Sequence, residues 1–185
     1  MSNTMGRNAN NQLLQKAKVS KSDEFYTLLP DIARELQHYT GQFRGKTVYC
    51  NCDDPGVSNF FRYFAVNFRS LGLRKLIASC YRKSETNLFH QASAGTGYFC
   101  EYTEANFAGG NAPPIEIQHF NGDGDFRSEE SIKLLKQSDI VVTNPPFSLF
   151  REFVAQLTRY EKKFLIIGNI NAITYKEIFK LIQEN

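Results

Sequence analysis

The chain has 185 residues, of which 22 are Lys or Arg and 19 are Asp or Glu, and 42% of its residues are hydrophobic. This length is enough for one domain with a hydrophobic core but short for two. The formal charge of +3 is compatible with a polyanionic partner but is too small to indicate one by itself. No apolar run approaches the ~20 residues that cross a bilayer, and the N-terminus lacks the apolar core of a signal peptide, which predicts an intracellular protein outside any membrane.

Residues 1–20 are polar and rich in Asn and Gln, with Lys16 and Lys18 among them and no regular apolar spacing. We expect a flexible basic arm here, which is either a solvated tail or a contact with the phosphate backbone of a nucleic acid. The folded domain is expected to occupy residues 21–185.

From residue 30 onward, the hydrophobic pattern alternates between helical and strand spacing. Helices are predicted over 30–39, 57–68, 128–137, 148–160 and 175–182, and strands over 46–52, 76–80, 115–120, 139–143 and 163–169. The segment 81–114 is rich in Gly and Pro and is expected to be an irregular insertion with a hairpin over 97–102. The alternation of strands and helices predicts an α/β fold with a doubly wound, mostly parallel sheet.

Four cysteines occur, at Cys50, Cys52, Cys80 and Cys100. They lack the Cys-x-x-Cys and His pairs from which zinc sites are built, so we expect no metal site. We expect them instead to be small buried residues that are kept reduced inside a cell.

Three of the predicted strands end in distinctive polar segments, which are Asp53-Asp54-Pro55, Asp123-Gly124-Asp125 and Asn144-Pro145-Pro146-Phe147. In a doubly wound sheet, ligands bind outside the carboxyl ends of the strands. We therefore expect these three segments to lie around one site.

The segment Asn144-Pro145-Pro146-Phe147 suits chemistry on the exocyclic amine of adenine. That amine is a poor nucleophile, and a site can assist it by accepting hydrogen bonds from both of its N–H groups. Asn144 offers a side-chain carbonyl, and Pro145 offers a backbone carbonyl without a competing N–H. The prolines hold the residues before them extended, and Phe147 offers a ring on which an extruded base could stack. Many Pro-Pro turns have no such role, and the position after an apolar strand favours the functional interpretation.

These motifs resemble those of the amino-group DNA methyltransferases. Over nearly its whole length, the sequence resembles the EcoRI-type adenine methylases. The resemblance rests on five segments: 21–27 (K-S-D-E-F-Y-T), 49–55 (Y-C-N-C-D-D-P), 57–61 (V-S-N-F-F), 122–128 (G-D-G-D-F-R-S) and 138–152 (S-D-I-V-V-T-N-P-P-F-S-L-F-R-E). The order of the segments, with the donor segments before the catalytic motif, resembles the γ arrangement of the family.

The resemblance implies an adenine N6-methyltransferase of the restriction-modification type, encoded by a bacterium or a phage and located in the cytoplasm. It would transfer a methyl group from S-adenosylmethionine to a flipped adenine in double-stranded DNA, with residues 21–185 as the catalytic and donor-binding domain. The implied catalytic residues are Asn144, Pro145, Pro146 and Phe147. The implied donor-binding residues are Asp23, Phe25, Tyr26, Thr27, Asp53, Asp54, Pro55, Asp123, Asp125 and Phe126. Among these, Asp125 and Phe126 would recognise the adenine ring of the donor, with Asp123 as the rival acid.

Several features depart from the family's pattern. The donor turn carries only Gly56 where the family has a glycine-rich turn, and the residues after the second strand offer no acid for the donor ribose before Glu85. The family's sheet continues with an antiparallel pair and a target-recognition region, so we expect a fold that stops after the fifth strand. Residues 164–167 would then form an exposed apolar edge, through which we expect self-association.

Two other functions remain open at this stage. The first is a remnant or accessory protein that binds the methyl donor, DNA or a partner without turnover. The second keeps the methyl transfer but changes the substrate to RNA or to a glutamine amide of a protein.

Overall fold

The computed structural model of the chain describes residues 27–82, 95–107 and 114–184. The strands in these ranges are β1 (Thr47–Asn51), β2 (Lys75–Cys80), β3 (Tyr98–Thr103), β4 (Gln118–His119), β5 (Ile140–Thr143) and β6 (Lys163–Ile166). They form one sheet in the order β4-β3-β2-β1-β5-β6. The arm expected over 1–20 lies outside the described residues.

The sheet is parallel at its centre and antiparallel at one side. Strand β1 is parallel to both β2 and β5, and β5 is parallel to β6. Strand β3 is antiparallel to both of its neighbours, β2 and β4. The predicted mostly parallel sheet is confirmed. Because the chain leaves β1 toward β2 on one side and later returns to β5 on the other, the winding reverses between β1 and β5.

The insertion after β2 differs from the prediction. The expected hairpin over 97–102 is instead the single strand β3, which pairs with β2 along its whole length. The strand expected over 115–120 is reduced to the two residues of β4, and Ile115 and Ile117 are exposed. The alternation of Tyr98, Cys100 and Tyr102 explains the difference, because these three side chains are buried and hold β3 against the sheet.

The helices are α1 (Leu29–Leu36), α2 (Thr40–Phe43), α3 (Asn59–Val66), α4 (Glu129–Gln137), α5 (Phe150–Arg159) and α6 (Lys176–Glu184). Each of the longer ones lies within a few residues of its predicted position. The helix expected from residue 148 begins two residues later, at Phe150, because Phe147–Leu149 forms a 3-10 turn before α5. Among the described helices, none is long and apolar enough to cross a membrane.

The two faces of the sheet have separate hydrophobic cores. Residues of α1, α2 and α3 cover one face, where Phe43 and Phe64 are fully buried. Residues of α4 and α5 cover the other face, where Leu135 and Phe153 are buried against Tyr49 of β1. Helices on both faces make the sheet doubly wound, as the sequence predicted, and they leave the carboxyl edge of the parallel strands accessible.

Candidate active site

The polar strand ends lie on both sides of the crevice between β1 and β5. The backbone ladder of these strands pairs Val48 with Ile140 and Tyr49 with Val141, and it extends no further. Strand β5 stays paired with β6 as far as Thr143. The two central strands therefore separate at their carboxyl ends, at the point where the winding reverses. This is the position at which open α/β sheets bind their ligands.

The side chain of Thr143 bridges the strands where their backbones separate. Its hydroxyl oxygen lies 2.5 Å from the backbone oxygen of Asn51 and 2.5 Å from Oδ2 of Asp53. The backbone oxygen of Thr143 accepts a hydrogen bond from the backbone nitrogen of Ile167, which continues the contact with β6. Thr143 thus joins the end of β5 to β1 through its side chain and to the chain after β6 through its backbone.

Asp53 is buried, and its carboxylate joins three parts of the site. One oxygen lies against Thr143, and the other accepts a hydrogen bond of 2.6 Å from the hydroxyl of Ser58. Ser58 is the N-cap of α3, and its Oγ also accepts from the backbone nitrogens of Phe60 and Phe61. Capping satisfies backbone N–H groups that the helix itself leaves unpaired. The loop after β1 is thereby fixed to both α3 and β5.

The loop begins with a backbone conformation that is unusual for its residue. Cys52 has a φ of 92°, a region that side-chain-bearing residues rarely adopt. This turn directs the chain from β1 back toward the crevice, so that Asp53 reaches Thr143. Strain of this kind persists only where the surrounding contacts hold it, and it is frequent at functional sites.

Asn144, Pro145, Pro146 and Phe147 follow directly after the Thr143 bridge. Asn144 and Pro145 are buried, whereas Pro146 and Phe147 are partly exposed. Pro146 has an extended backbone, and its carbonyl accepts from the backbone nitrogen of Leu149 to close the 3-10 turn. The motif therefore runs from the interior of the crevice to its surface, with the ring of Phe147 at the surface end.

A row of buried polar side chains crosses the sheet below the crevice. Burial raises the pKa of the Tyr49 phenol, which keeps its proton, and Tyr49 lies 2.7 Å from the hydroxyl of Ser79. Ser79 in turn donates to Oδ1 of Asn51 at 3.4 Å. Nδ2 of Asn51 is buried and has no hydrogen-bond partner among residues 27–82, 95–107 and 114–184. A buried donor without an acceptor costs roughly 1–3 kcal/mol, so this atom marks a place where an acceptor of a ligand would fit.

A second polar cluster lies at the rim of the crevice, between the ends of β1 and β2 and the start of β3. The hydroxyl of Tyr98 accepts a hydrogen bond of 3.2 Å from Arg82 and is also hydrogen-bonded to Asp54. Burial and Asp54 both raise the pKa of Tyr98, and the hydrogen bond with Tyr98 raises the pKa of Arg82. The backbone nitrogen of Arg82 donates to the backbone oxygen of Asp123. Asp54 thus brings a carboxylate close to the end of β2, where the sequence itself supplies no acid.

The acidic-aromatic pair Asp125 and Phe126 is arranged differently from the expectation. Arg127 donates to both oxygens of Asp125, at 2.9 and 2.7 Å, and these hydrogen bonds hold the pKa of Asp125 below its usual value. The ring of Phe126 is only 4% exposed, because Phe153 packs against it edge-on at 5.1 Å and Arg127 lies 5.4 Å from its centroid. The ring of Phe126 therefore has little exposed surface, whereas Asp123 is exposed.

The segment before the first strand is only partly described. Asp23, Phe25 and Tyr26 lie outside the described residues, and the backbone oxygen of Thr27 accepts a hydrogen bond from the side chain of Asn59 at the start of α3. Thr27 is therefore attached to the helix that Ser58 caps, beside the loop after β1.

Sequence reasoning did not select several polar residues that the structure places around the crevice, among them Asn51, Ser58, Thr143, Tyr98 and Arg82. A Ser before an apolar helical run is an N-cap signal that could have identified Ser58. A Thr at the end of a Val-rich strand and beside Asn144 was a weaker signal. Tyr98 and Arg82 carried none, because their meeting depends on the antiparallel course of β3.

Comparison with known proteins identifies the family of the chain. The family described as adenine-specific methyltransferase EcoRI matches residues 13–185. The chain belongs to this family. It is 61% identical over 181 residues to the type II methyltransferase M.EcoRI of Escherichia coli, covering 98% of this chain and 56% of that protein.

Two relatives from mycoplasmas are more distant. M.MpnI of Mycoplasma pneumoniae is 44% identical to this chain, and the match covers 91% of this chain and 47% of M.MpnI. M.MgeORF184P of Mycoplasma genitalium is 41% identical, and the match covers 92% of this chain and 48% of that protein. The chain thus spans about half the length of the curated relatives it matches. No solved structure matches the chain. Membership of the family implies a methyl donor and a sheet of the methyltransferase type.

Proposed function

We propose that the chain transfers a methyl group from S-adenosylmethionine to the exocyclic N6 amine of adenine in double-stranded DNA, as part of a bacterial restriction-modification system. The observation that carries the proposal is the position of Asn144-Pro145-Pro146-Phe147. The motif emerges from the crevice at which the winding of the sheet reverses, beside the polar ends of β1 and β2. Acting on bacterial DNA, the chain would work in the cytoplasm.

The residues around the crevice fit S-adenosylmethionine in kind. The donor carries a carboxylate, an ammonium group and ribose hydroxyls, which call for hydrogen-bond donors and for acidic acceptors. Nδ2 of Asn51 is a buried donor without an acceptor among the described residues, and Asp54 and Asp123 supply carboxylates at the rim. We propose that Asp54, with Tyr98, holds the ribose, and that Asp123 rather than Asp125 approaches the adenine of the donor. Asp23, Phe25, Tyr26, Thr27 and Pro55 remain proposed donor contacts.

The proposed catalytic work of the protein is to orient and polarise the target amine. When bound, the sulfonium of the donor supplies the activated methyl group, so the protein needs alignment more than a strong base. The side-chain carbonyl of Asn144 and the backbone carbonyl of Pro145 would accept the two N–H groups of the amine and increase its electron density. Phe147 is partly exposed at the mouth and could stack on the flipped base, which is worth ~1–3 kcal/mol.

Methyl transfer from radiolabelled S-adenosylmethionine to unmethylated duplex plasmid tests the proposal. We expect incorporation with the unmodified chain, a loss of at least about 100-fold in Asn144→Ala, and no loss in Asn171→Ala. Asn171 is an exposed asparagine in the 3-10 turn after β6 and serves as the matched control. Digestion of the plasmid to nucleosides identifies the product, and any methylated base other than N6-methyladenine contradicts the proposal.

The second candidate is an accessory that binds the donor without turnover. Donor binding in calorimetry, combined with no incorporation into DNA, would support this candidate over the enzyme.

We also propose that the chain associates with itself through β6. Among the described residues, β6 pairs on one side only, with β5, and Ile170 and Ile173 beyond its end are 80% and 55% exposed. An edge strand with apolar neighbours is a template for pairing. Size-exclusion chromatography should show an apparent mass that rises with concentration, and a monomer at all concentrations would contradict the proposal.

A further inference from the structure

The contact between Thr143 and Asp53 links the two halves of the candidate active site. One half is the loop after β1, whose residues are proposed donor contacts, and the other is the catalytic motif that begins at Asn144. Thr143 is 0% exposed and Asp53 is 7% exposed, so the contact is shielded from water. In the described part of the chain, the backbone ladder between β1 and β5 has already ended at Tyr49 and Val141. The side chain of Thr143 continues the connection.

The strand itself does not require a hydroxyl at this position. The two preceding residues of β5, Val141 and Val142, are fully buried, and a valine has nearly the shape of a threonine. A buried hydroxyl is tolerated only where it is hydrogen-bonded. Here its single proton can be donated to either of two acceptors that lie 2.5 Å from the hydroxyl oxygen, one on the backbone of Asn51 and one on Asp53. The hydroxyl is therefore placed where it fixes the separation of the two strand ends.

The carboxylate of Asp53 is the other half of the link. Its second oxygen accepts from Ser58, which caps α3, so a displacement of Thr143 would be transmitted to the N-terminus of that helix. The same loop carries Asp54, whose carbonyl accepts from the backbone nitrogens of Val57 and Ser58. Two short loops on different strands are thus held in one arrangement by a single buried hydroxyl.

We propose that Thr143, acting through Asp53, is a positioning residue that sets the distance between the methyl donor and the amine held by Asn144. The proposal rests on the proposed function, because it assigns the donor to the loop after β1 and the target base to the loop after β5. Alignment of the two reactants is the main contribution of the protein to this transfer, and small displacements at such sites commonly reduce rates by about 100-fold. Because Thr143 is fully buried, we expect its effect to fall on the turnover number rather than on binding.

The test compares Thr143→Val with Thr143→Ser, which removes a methyl group but keeps the hydroxyl. In Thr143→Val we expect kcat for methyl transfer to fall about 10- to 100-fold. The KM for S-adenosylmethionine should change less than about threefold, and Thr143→Ser should restore most of the rate. Asp53→Ala, which removes the other partner, should lower kcat in the same way. Equal loss in the Val and Ser variants would overturn the proposal, because it would indicate a packing role.

A measurement without turnover keeps the link testable on its own. Amide hydrogen exchange in the ligand-free chain reports on both loops, through the backbone nitrogens of Val57 and Ser58 on one side and Leu149 on the other. We expect exchange to accelerate at both sites in Thr143→Val and to remain unchanged in Thr143→Ser. Acceleration at Leu149 alone would overturn the link. If both sites accelerate but the unmodified chain binds no donor and transfers no methyl group, the proposed function fails while the mechanical link stands.

Discussion

Gly97 and Gly124 lie so close together that neither has room for a side chain. A Cβ added to Gly97 would lie 2.5 Å from the backbone nitrogen of Gly124, and one added to Gly124 would lie 3.2 Å from Cα of Gly97 and 2.7 Å from the backbone oxygen of Cys80. The segments after β2, before β3 and after β4 are therefore packed backbone against backbone. This packing forms the rim on which Arg82, Tyr98 and Asp123 lie.

Substitution of Gly97 should therefore destabilise the protein. In Gly97→Ala the new Cβ would lie 2.4 Å from the backbone oxygen of Asp123, so the rim must shift, at a cost of about 1–3 kcal/mol. Gly41→Ala is the matched control, because Gly41 lies in α2 with nothing within 4 Å of an added Cβ. Alanine should stabilise that helix by about 0.5–1 kcal/mol. Urea unfolding measures both changes, and equal free energies of unfolding for the two variants would contradict the packing.

Tyr98→Phe should weaken binding of the donor without unfolding the rim. The substitution removes the hydroxyl that connects Arg82 and Asp54 but keeps the ring, which Arg82 covers at 5.2 Å from its centroid. Loss of one such hydrogen bond corresponds to about 1 kcal/mol, so we expect the Kd for S-adenosylmethionine to rise about fivefold. Calorimetry measures the Kd. An unchanged Kd would show that Tyr98 is not part of the proposed ribose site and does not orient Asp54 there.

Phe126→Ala should lower the stability of the fold and leave the affinity for the methyl donor unchanged. Phe126 is 4% exposed and packs on Phe153, so truncation should lower the free energy of unfolding by about 3–5 kcal/mol. Phe179→Ala, at a position on α6 that is 53% exposed, should lower it by less than about 1 kcal/mol. Donor affinity measured on the folded fraction should be unchanged in both. A selective loss of donor binding in Phe126→Ala would instead support the role in stacking that the resemblance implied.

The thiols should divide into two classes by reactivity. Burial raises the pKa of Cys100 to about 12 and raises that of Cys50 well above its usual value, whereas Cys52 and Cys80 are partly exposed. At pH 8 a thiol-disulfide reagent should label Cys52 and Cys80 quickly, and Cys50 and Cys100 only after unfolding. Rapid labelling of all four cysteines in the folded chain would contradict this burial.

The buried thiols of Cys50 and Cys100 also make the free energy of unfolding depend on pH in alkaline solution. In the unfolded chain a thiol loses its proton near pH 8.5, whereas in the folded chain Cys100 keeps it to a pH of about 12. The unfolded state therefore releases protons first, and the free energy of unfolding should fall as the pH rises above about 8.5. Cys100→Ala should reduce this slope in unfolding experiments between pH 8 and 10.

The parallel centre of the fold was predictable from the sequence because its strands are short apolar runs that end in turn signals. The runs that became β1, β2, β5 and β6 have this form, and each is found within a few residues of its predicted position. Strand β3 was not predictable as a single strand, because it lies in a segment of the sequence that is rich in Gly and Pro and its alternating residues are Tyr and Cys. Pairing with the neighbouring β2 determines that these residues form one extended strand and not the predicted hairpin.

For the site, the sequence predicted which strand ends carry polar chemistry but not which side chains meet there. Asn144 and Asp53 could be selected because their residue types are unusual after an apolar strand. Phe126 was expected, from the resemblance, to contact the adenine of the donor, and its burial was not predictable because it depends on α5, which brings Phe153 against it. Thr143 could not be distinguished from an ordinary strand residue, because its role depends on the separation of β1 from β5 beyond Tyr49.

The reversed direction of β3 has a consequence for how proteins of this kind can diversify. Because β3 runs against β2, the connection between them leaves from Arg82 and returns to Gly97 at the same edge of the sheet, next to Asp123. Residues added to or removed from that connection would change the surroundings of the proposed donor site and leave the parallel strands and the contact between Thr143 and Asp53 in place. A longer connection between two fixed ends costs little stability, about 0.6 kcal/mol for each doubling of its length. Relatives that differ in this segment could therefore present different rims around one unchanged catalytic crevice.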